Sequence, residues 1–306
     1  MTFTFTRATK EEAKARIALT GPSGSGKTYT ALTIATVLAD SVAVIDTERG
    51  SASKYADVFE FSRLNLQSFE PATLCQALAA AAHAGFGAVV VDSLTHFWSG
   101  TGGMLEQVDS AAKRGYGGNS FGGWKEARPQ ERQMIDALVS YPGHVIVTMR
   151  SKTDYVIEED QRGRKVPRKV GLKPEQREGI EYEFDIVGDL DHENTLVITK
   201  SRARNIANRV VPKPGREFAE EIGAWLGDGK PAKDANHYRD KVLDKHATRQ
   251  NLGALGVEVR AKGLFNAMVV DDHDDAVALG ELITRRWHEA PKESEAGTGA
   301  NDEAAA

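Results

Sequence analysis

Gly21-Pro22-Ser23-Gly24-Ser25-Gly26-Lys27-Thr28 has the residue types and spacing of a phosphate-binding turn, G-x4-G-K-[ST]. Gly24 and Gly26 can take positive φ, which turns successive backbone N–H groups inward around a β-phosphate. A helix starting near Lys27 adds the positive end of its dipole. The Lys27 ammonium then reaches the β- and γ-phosphates, and the Thr28 hydroxyl ligates Mg²⁺. The apolar run Ile17-Ala18-Leu19 precedes the turn, and Tyr29 to Ala35 follows it with apolar residues at helical spacing. Strand, turn and helix in that order outweigh the bland reading of a Ser/Gly linker. A nucleoside triphosphate is therefore expected, with Gly21, Ser23, Gly24, Ser25, Gly26, Lys27, Thr28 and Tyr29 as its contacts.

Two acids complete the chemistry. Asp92 ends the apolar run Gly87 to Val91, where a carboxylate can hold Mg²⁺ through water beside Thr28. AAA+ machines and many helicases place a catalytic Glu directly after this Asp, but Ser93 stands here, so the water-directing base is expected elsewhere. Glu48 is the candidate: Asp46-Thr47-Glu48 closes the strand after the phosphate-turn helix, and such strand ends face the ligand crevice. A surface Glu opening a loop is the plainer alternative.

The elements that must position these groups alternate. Ser41 to Asp46, Gly87 to Ser93 and His144 to Arg150 are short apolar runs suited to buried parallel strands. Val58 to Phe61 is a further β-like run, and Pro71 to Ala84 and Lys125 to Tyr141 read as helices. Tyr155 to Ile157 and Lys165 to Val170 form an expected hairpin turning at Asp160 to Gly163, while Glu183 to Leu190 and Thr195 to Lys200 read as antiparallel neighbours. The pattern predicts an α/β core with a mainly parallel central sheet over residues 1–227. Gly227-Asp228-Gly229-Lys230-Pro231 marks a boundary. Ala235 to Gln250, Leu255 to Lys262 and Asp274 to Glu289 predict a small helical region within 228–290, without strand signals, and 291–306 a disordered acidic tail.

A net charge of −5 excludes a wholly basic nucleic-acid coat, so any polyanion site must be a local patch. The single cysteine, Cys75, excludes a disulfide framework and a thiolate metal cluster, and lies in a helical run where a packed thiol is expected. No signal-peptide h-region or membrane-length apolar stretch occurs, so a soluble cytoplasmic protein with no membrane partner is expected. His83 and His96 lack metal-ligand spacing.

Ile45-Asp46-Thr47-Glu48 followed by Ser53-Lys54-Tyr55-Ala56, the alanine-rich helix leading into Val89-Val90-Val91-Asp92-Ser93, and Lys200-Ser201-Arg202 at a late strand end together resemble the RecA-like P-loop ATPases of bacteriophages, including the Sak-type single-strand annealing group. The resemblance covers roughly residues 1 to 227. It implies ATP with Mg²⁺, Glu48 as general base, and Lys200 and Arg202 acting in trans on a neighbouring subunit's γ-phosphate. It also implies a homo-oligomeric ring or filament with ATP at the subunit interface, in host cytoplasm if phage-encoded, and a single-strand-binding protein as a candidate partner. Where RecA carries a γ-phosphate-sensing glutamine, this chain offers Met149-Arg150, which places Arg150 among the nucleotide contacts.

The resemblance further implies two DNA loops. The first combines Lys113, Arg114, Tyr116, Phe121, Trp124 and Lys125 with glycines, a mixture in which cations meet phosphates and rings stack on bases. The second, with Arg162, Arg164, Lys165, Arg168 and Lys169, is the densest basic run in the chain. Packed aromatics and a solvated hairpin are the plain alternatives. Phe5-x-x-Ala8 matches a recombinase subunit-docking element, though edge-strand packing is the expected role. The function implied is recombination or strand annealing on single-stranded DNA, with DNA-stimulated ATP hydrolysis. A replicative-helicase-like motor and a nucleotide switch that binds a protein partner are the alternatives.

Overall fold

In the computed structural model, residues 13–115, 117–159, 165–227 and 234–290 are described, 152–159 and 165–174 by their backbone alone. The expected N-terminal arm with Phe5 and Ala8, the boundary residues from Asp228 to Pro231, and the acidic tail lie outside the described residues. Two compact units divide between Ala232 and Lys233.

The larger unit runs β1 (Arg16–Gly21), α1 (Lys27–Leu38), β2 (Val42–Asp46), β3 (Ser62–Asn65), α2 (Pro71–His83), β4 (Ala88–Asp92), α3 (Thr95–Ser99), α4 (Met104–Gly115) and α5 (Ser120–Val139). It continues through β5 (His144–Glu159), β6 (Lys165–Pro174), β7 (Ile186–Leu190), β8 (Thr195–Ser201), β9 (Val210–Pro212) and α6 (Arg216–Gly227). The sheet order is β3-β2-β4-β5-β1-β7-β8-β9, with β6 paired to β5 alone. The strands from β3 to β7 are parallel, and β8 and β9 close the sheet antiparallel. The fold is thus mixed α/β with a mainly parallel central sheet.

The sequence explains the order. β1, β2 and β4 are buried along their whole lengths, as continuous β-branched runs must be when helices cover both faces of a parallel sheet. Ile17, Leu19, Val44, Val90 and Ile146 join one core cluster with Leu32 and Ile34 of α1 and Phe218 and Ile222 of α6. The alternate residues Ala18, Val89, Val91, Val145 and Val147 are equally buried and point to the other face. Arg16 is the unusual core member. Its guanidinium donates Nε–H to Val139 O at 2.9 Å and Nη1–H to Gly143 O at 2.8 Å, and burial pulls its pKa down to about 10. It ties the start of β1 to the α5–β5 turn.

Two local expectations are corrected. Val58 to Phe61 is not a strand: the Val58 and Phe59 N–H groups close a turn onto Tyr55 O at 3.0 and 2.9 Å. Pairing with β2 begins only at Ser62, opposite Ala43. The stretch around 113–125, expected as a DNA loop, is instead helical up to Gly115 and again from Ser120. Asn119 caps α5 by accepting from Phe121 N–H at 3.0 Å. Gly123 lies so close to α4 that a Cβ there would stand 2.2 Å from Val108 O. That glycine serves helix–helix approach rather than flexibility. The antiparallel pairing of the expected hairpin strands and of β7 with β8 is observed, while the expected turn at Asp160 to Gly163 lies outside the described residues.

The smaller unit comprises α7 (Ala235–Val242), α8 (Arg249–Ala261), β10 (Met268–Val270), β11 (Ala276–Ala278) and α9 (Leu279–Glu289). Tyr238, Leu252, Val269, Leu279 and Leu282 form its core. Thr248 caps α8, which separates the helices six residues earlier than the apolar spacing suggests. An antiparallel β10–β11 pair also stands where no strand was expected. The Asp271 carboxylate accepts from His273 and Asp275 N–H at 2.8 and 3.0 Å, turning the chain before α9 can start. Among the described residues, no helix is long and apolar enough to cross a membrane.

Candidate functional site

The parallel strands deliver their C-terminal ends to one edge. Asp46 of β2 sits beside Asp92 of β4, and Gly21 of β1 beside Arg150 of β5. Sequence-distant groups therefore converge with no loop needed to carry them.

The turn between β1 and α1 adopts the expected form. Gly24 and Gly26 have φ of 78° and 82°, left-handed values that favour glycine. Lys27 Nζ donates to Gly21 O at 2.9 Å and to Pro22 O at 2.7 Å, folding its ammonium over the turn. Burial lowers the Lys27 pKa first of all, while Asp92 and Glu48 pull it up and Arg150 pushes it down. These four charges thus share one field. Ser25 Oγ is buried without a partner among the described residues. The β7–β8 turn backs this loop: Asn194 Nδ2 donates to Gly24 O at 3.4 Å, and Thr20 Oγ1 donates to Asp189.

Thr28 Oγ1 donates to Asp92 Oδ2 at 2.7 Å, and Thr148 Oγ1 donates to Asp92 Oδ1. Burial raises the Asp92 pKa, and the two hydroxyl donors oppose that rise. A left-handed glycine cradle, an unpartnered buried serine and a hydroxyl–carboxylate pair fit a nucleoside triphosphate with Mg²⁺. Thr28 and Asp92 would hold the metal, and Lys27 the phosphates.

Glu48 faces this centre. Its N–H donates to Asp46 Oδ1 at 2.7 Å, which fixes the turn after β2. Its Oε1 accepts from Arg150 Nε at 3.0 Å and Nη2 at 2.9 Å. This two-pronged ion pair raises the Arg150 pKa further. Ser93, immediately after Asp92, is fully buried and carries no carboxylate, while the Glu48 carboxylate is held by Arg150. Tyr29 is half exposed, its ring edge-on to Tyr55 at 5.7 Å and Phe59 at 5.1 Å.

Several contributors were not legible as site residues. Thr148 holds Asp92 from the neighbouring strand. Thr47 Oγ1 receives the Ser93 N–H at 2.6 Å and bonds His96 Nδ1 at 2.7 Å. His96 stacks on Phe69 at 5.0 Å, and burial lowers its pKa. This knot locks the ends of β2 and β4 together. The only sequence signal is hydroxyl residues at apolar strand ends.

Lys200 and Arg202 stand at the opposite edge. Ser201 pairs with Ile186 at the start of β7, which itself pairs with Ile17 at the start of β1. They do not join Lys27 within the chain. Lys200 Nζ donates to Glu181 O at 2.8 Å and Tyr182 O at 2.9 Å, and Arg202 pairs with Asp185 at 2.9 Å.

Of the first expected DNA segment, Lys113 and Arg114 end α4, and Arg114 pairs with Glu126 at 2.8 Å. Phe121, Trp124 and Lys125 lie in the opening turns of α5. The Trp124 ring is engaged by Trp98 at 5.6 Å and packs on Met104, Val108 and Ala127. Tyr116, Arg162 and Arg164 lie outside the described residues. The backbone of Lys165, Arg168 and Lys169 runs on β6 opposite Glu159, Val156 and Tyr155.

A sequence-family profile described as an AAA domain matches residues 13–212. No curated protein matches the chain.

Proposed function

The chain belongs to the AAA-domain family of nucleotide-binding P-loop ATPases, and on that footing we propose that it couples ATP to single-stranded DNA in recombination or strand annealing, as RecA-like proteins do. One observation carries the reading. Arg150, which grips Glu48, is also where the basic hairpin opens and closes: its carbonyl accepts the Glu175 N–H at 2.7 Å. Gln176 Nε2 then donates to Leu94 O at 3.2 Å, beside Asp92 and Ser93. Arg150, at the position where the resemblance puts a γ-phosphate sensor, thus sits at the root of a hairpin whose sequence from Arg162 to Lys169 is strongly basic.

The roles follow. Lys27 and the turn amides bind the phosphates, and Thr28 and Asp92 support Mg²⁺, which when bound neutralises phosphate charge. Glu48 orients and deprotonates the attacking water once Arg150 releases it. Arg150 is a cation at the usual glutamine sensor position and can follow the γ-phosphate. Lys200 and Arg202 lie at the sheet edge remote from Lys27, so they act only across a subunit boundary in a ring or filament. That role requires them to leave the Glu181 and Tyr182 carbonyls and Asp185.

Fluorescence anisotropy of a labelled oligothymidylate with ATP, with ADP and without nucleotide tests the reading. Tighter binding with ATP, lost in Arg150→Ala, supports it. Binding that ignores nucleotide, or none at all, overturns it and favours a switch acting on a protein partner.

A further inference from the structure

The exposed face of α5 carries more than the two residues of its first turns. Phe121, Lys125, Arg128 and Arg132 recur at helical spacing and, with Gly122 and Pro129, line an open shelf of 380 Å³. Phe121 is 82% exposed, a large ring left in solvent. Lys125, Arg128 and Arg132 are exposed too, and none forms an ion pair with another described residue. No acid lines the shelf. Glu126 is taken up by Arg114, and Glu131 is buried on the adjoining side, where Arg128, Arg132 and Arg177 oppose the burial that raises its pKa.

Arg128 and Arg132 also line the neighbouring cleft of 670 Å³. That cleft contains Glu131, Asp136, Glu178 and Glu183 with the Trp98–Trp124 pair, so its field is mixed. A polyanion favours the shelf. A chain with net charge −5 that keeps three exposed cations, none in an ion pair with another described residue, and a bare aromatic ring along one helix presents the combination that binds single strands.

We propose that the α5 face from Phe121 to Arg132 is a single-stranded nucleic-acid track. Lys125, Arg128 and Arg132 meet successive phosphates, and Phe121 stacks on a base at one end. The track's twelve residues of helix span about 16 Å from first to last Cα. The track rests on the reading that the protein engages single strands, and it adds Arg128 and Arg132, which lie outside the two basic segments. It moves the contact from a flexible loop to a rigid helix, whose position is fixed by the Gly123 approach to Val108. Trp124 is then a supporting residue that braces α5 through Trp98.

The test is anisotropy of labelled oligothymidylate across a salt series with full-length wild type, Phe121→Ala, the pair Arg128→Gln/Arg132→Gln, and the pair Arg128→Lys/Arg132→Lys. Loss of two phosphate contacts lowers the log–log salt slope by about 1.4 in the glutamine pair, and the lysine pair restores it. Phe121→Ala weakens binding by about 5- to 150-fold. Wild-type binding with all variants alike overturns the track while leaving the DNA reading intact. A wild type that binds no strand overturns both, and capture of polyglutamate by that same protein would mark α5 as a surface for an acidic partner.

Discussion

Thr148→Val isolates the least visible part of the site. Thr148 is fully buried, and valine keeps its shape while removing the hydroxyl that donates to Asp92 Oδ1. Asp92 is itself only 3% exposed, so water cannot replace that donor. A hydrogen bond to a charged group is worth about 1.5–3 kcal/mol. The variant therefore disfavours the Asp92 carboxylate by that amount and weakens Mg·ATP binding by about tenfold or more. Burial already raises the Asp92 pKa and the Thr148 donor opposes the rise. Losing the donor moves the acid limb of the pH–rate profile to higher pH. The assay is steady-state ATP hydrolysis against Mg²⁺ concentration and against pH, with Thr148→Ser as the hydroxyl-keeping control. A valine variant with wild-type Mg²⁺ demand and an unmoved acid limb would refute the role assigned to this contact.

Other expectations are briefer. Glu48→Gln abolishes turnover while equilibrium ATP binding persists; retained turnover removes Glu48 as the base. His144 accepts the Ala15 N–H at 3.0 Å through Nδ1, and burial lowers its pKa from 6.5 to about 4. Because the unfolded chain takes up this proton first, stability is full above pH 6.5 and falls towards pH 4 by about 3 kcal/mol. Urea midpoints at the two ends of that window, compared with His144→Gln, measure it, and equal slopes count against the assignment. Asn119→Ala removes the α5 cap and costs about 1 kcal/mol in the same assay.

What could be read from the sequence is what lies close along the chain. The turn from Gly21 to Thr28 specifies itself within eight residues, because its geometry depends on local φ values and one helix start. Asp92 and Glu48 were visible because parallel strands place their last residues at one edge. The partners that hold them were not. Thr148 reaches Asp92 across 56 residues and Arg150 reaches Glu48 across 102, and such pairs exist only once the sheet register is set. Glycines around Gly123 suggested a loop, because composition alone does not separate flexibility from close helix packing. Arg128 and Arg132 belong to no sequence motif, and only the structure places them on one face with the bare Phe121 ring. Lys200 and Arg202, expected to act in trans, are held within the chain by the Glu181 and Tyr182 carbonyls and by Asp185, partners that no local sequence pattern announces.

The central claim is that the nucleotide site and a single strand communicate. ATP hydrolysis at fixed protein concentration, with and without single-stranded DNA across a salt series, tests it most directly. The account predicts stimulation that declines steadily as salt rises, because phosphate contacts carry the binding. Hydrolysis indifferent to DNA at every salt concentration would contradict it, leaving an ATPase of this family whose partner is a protein.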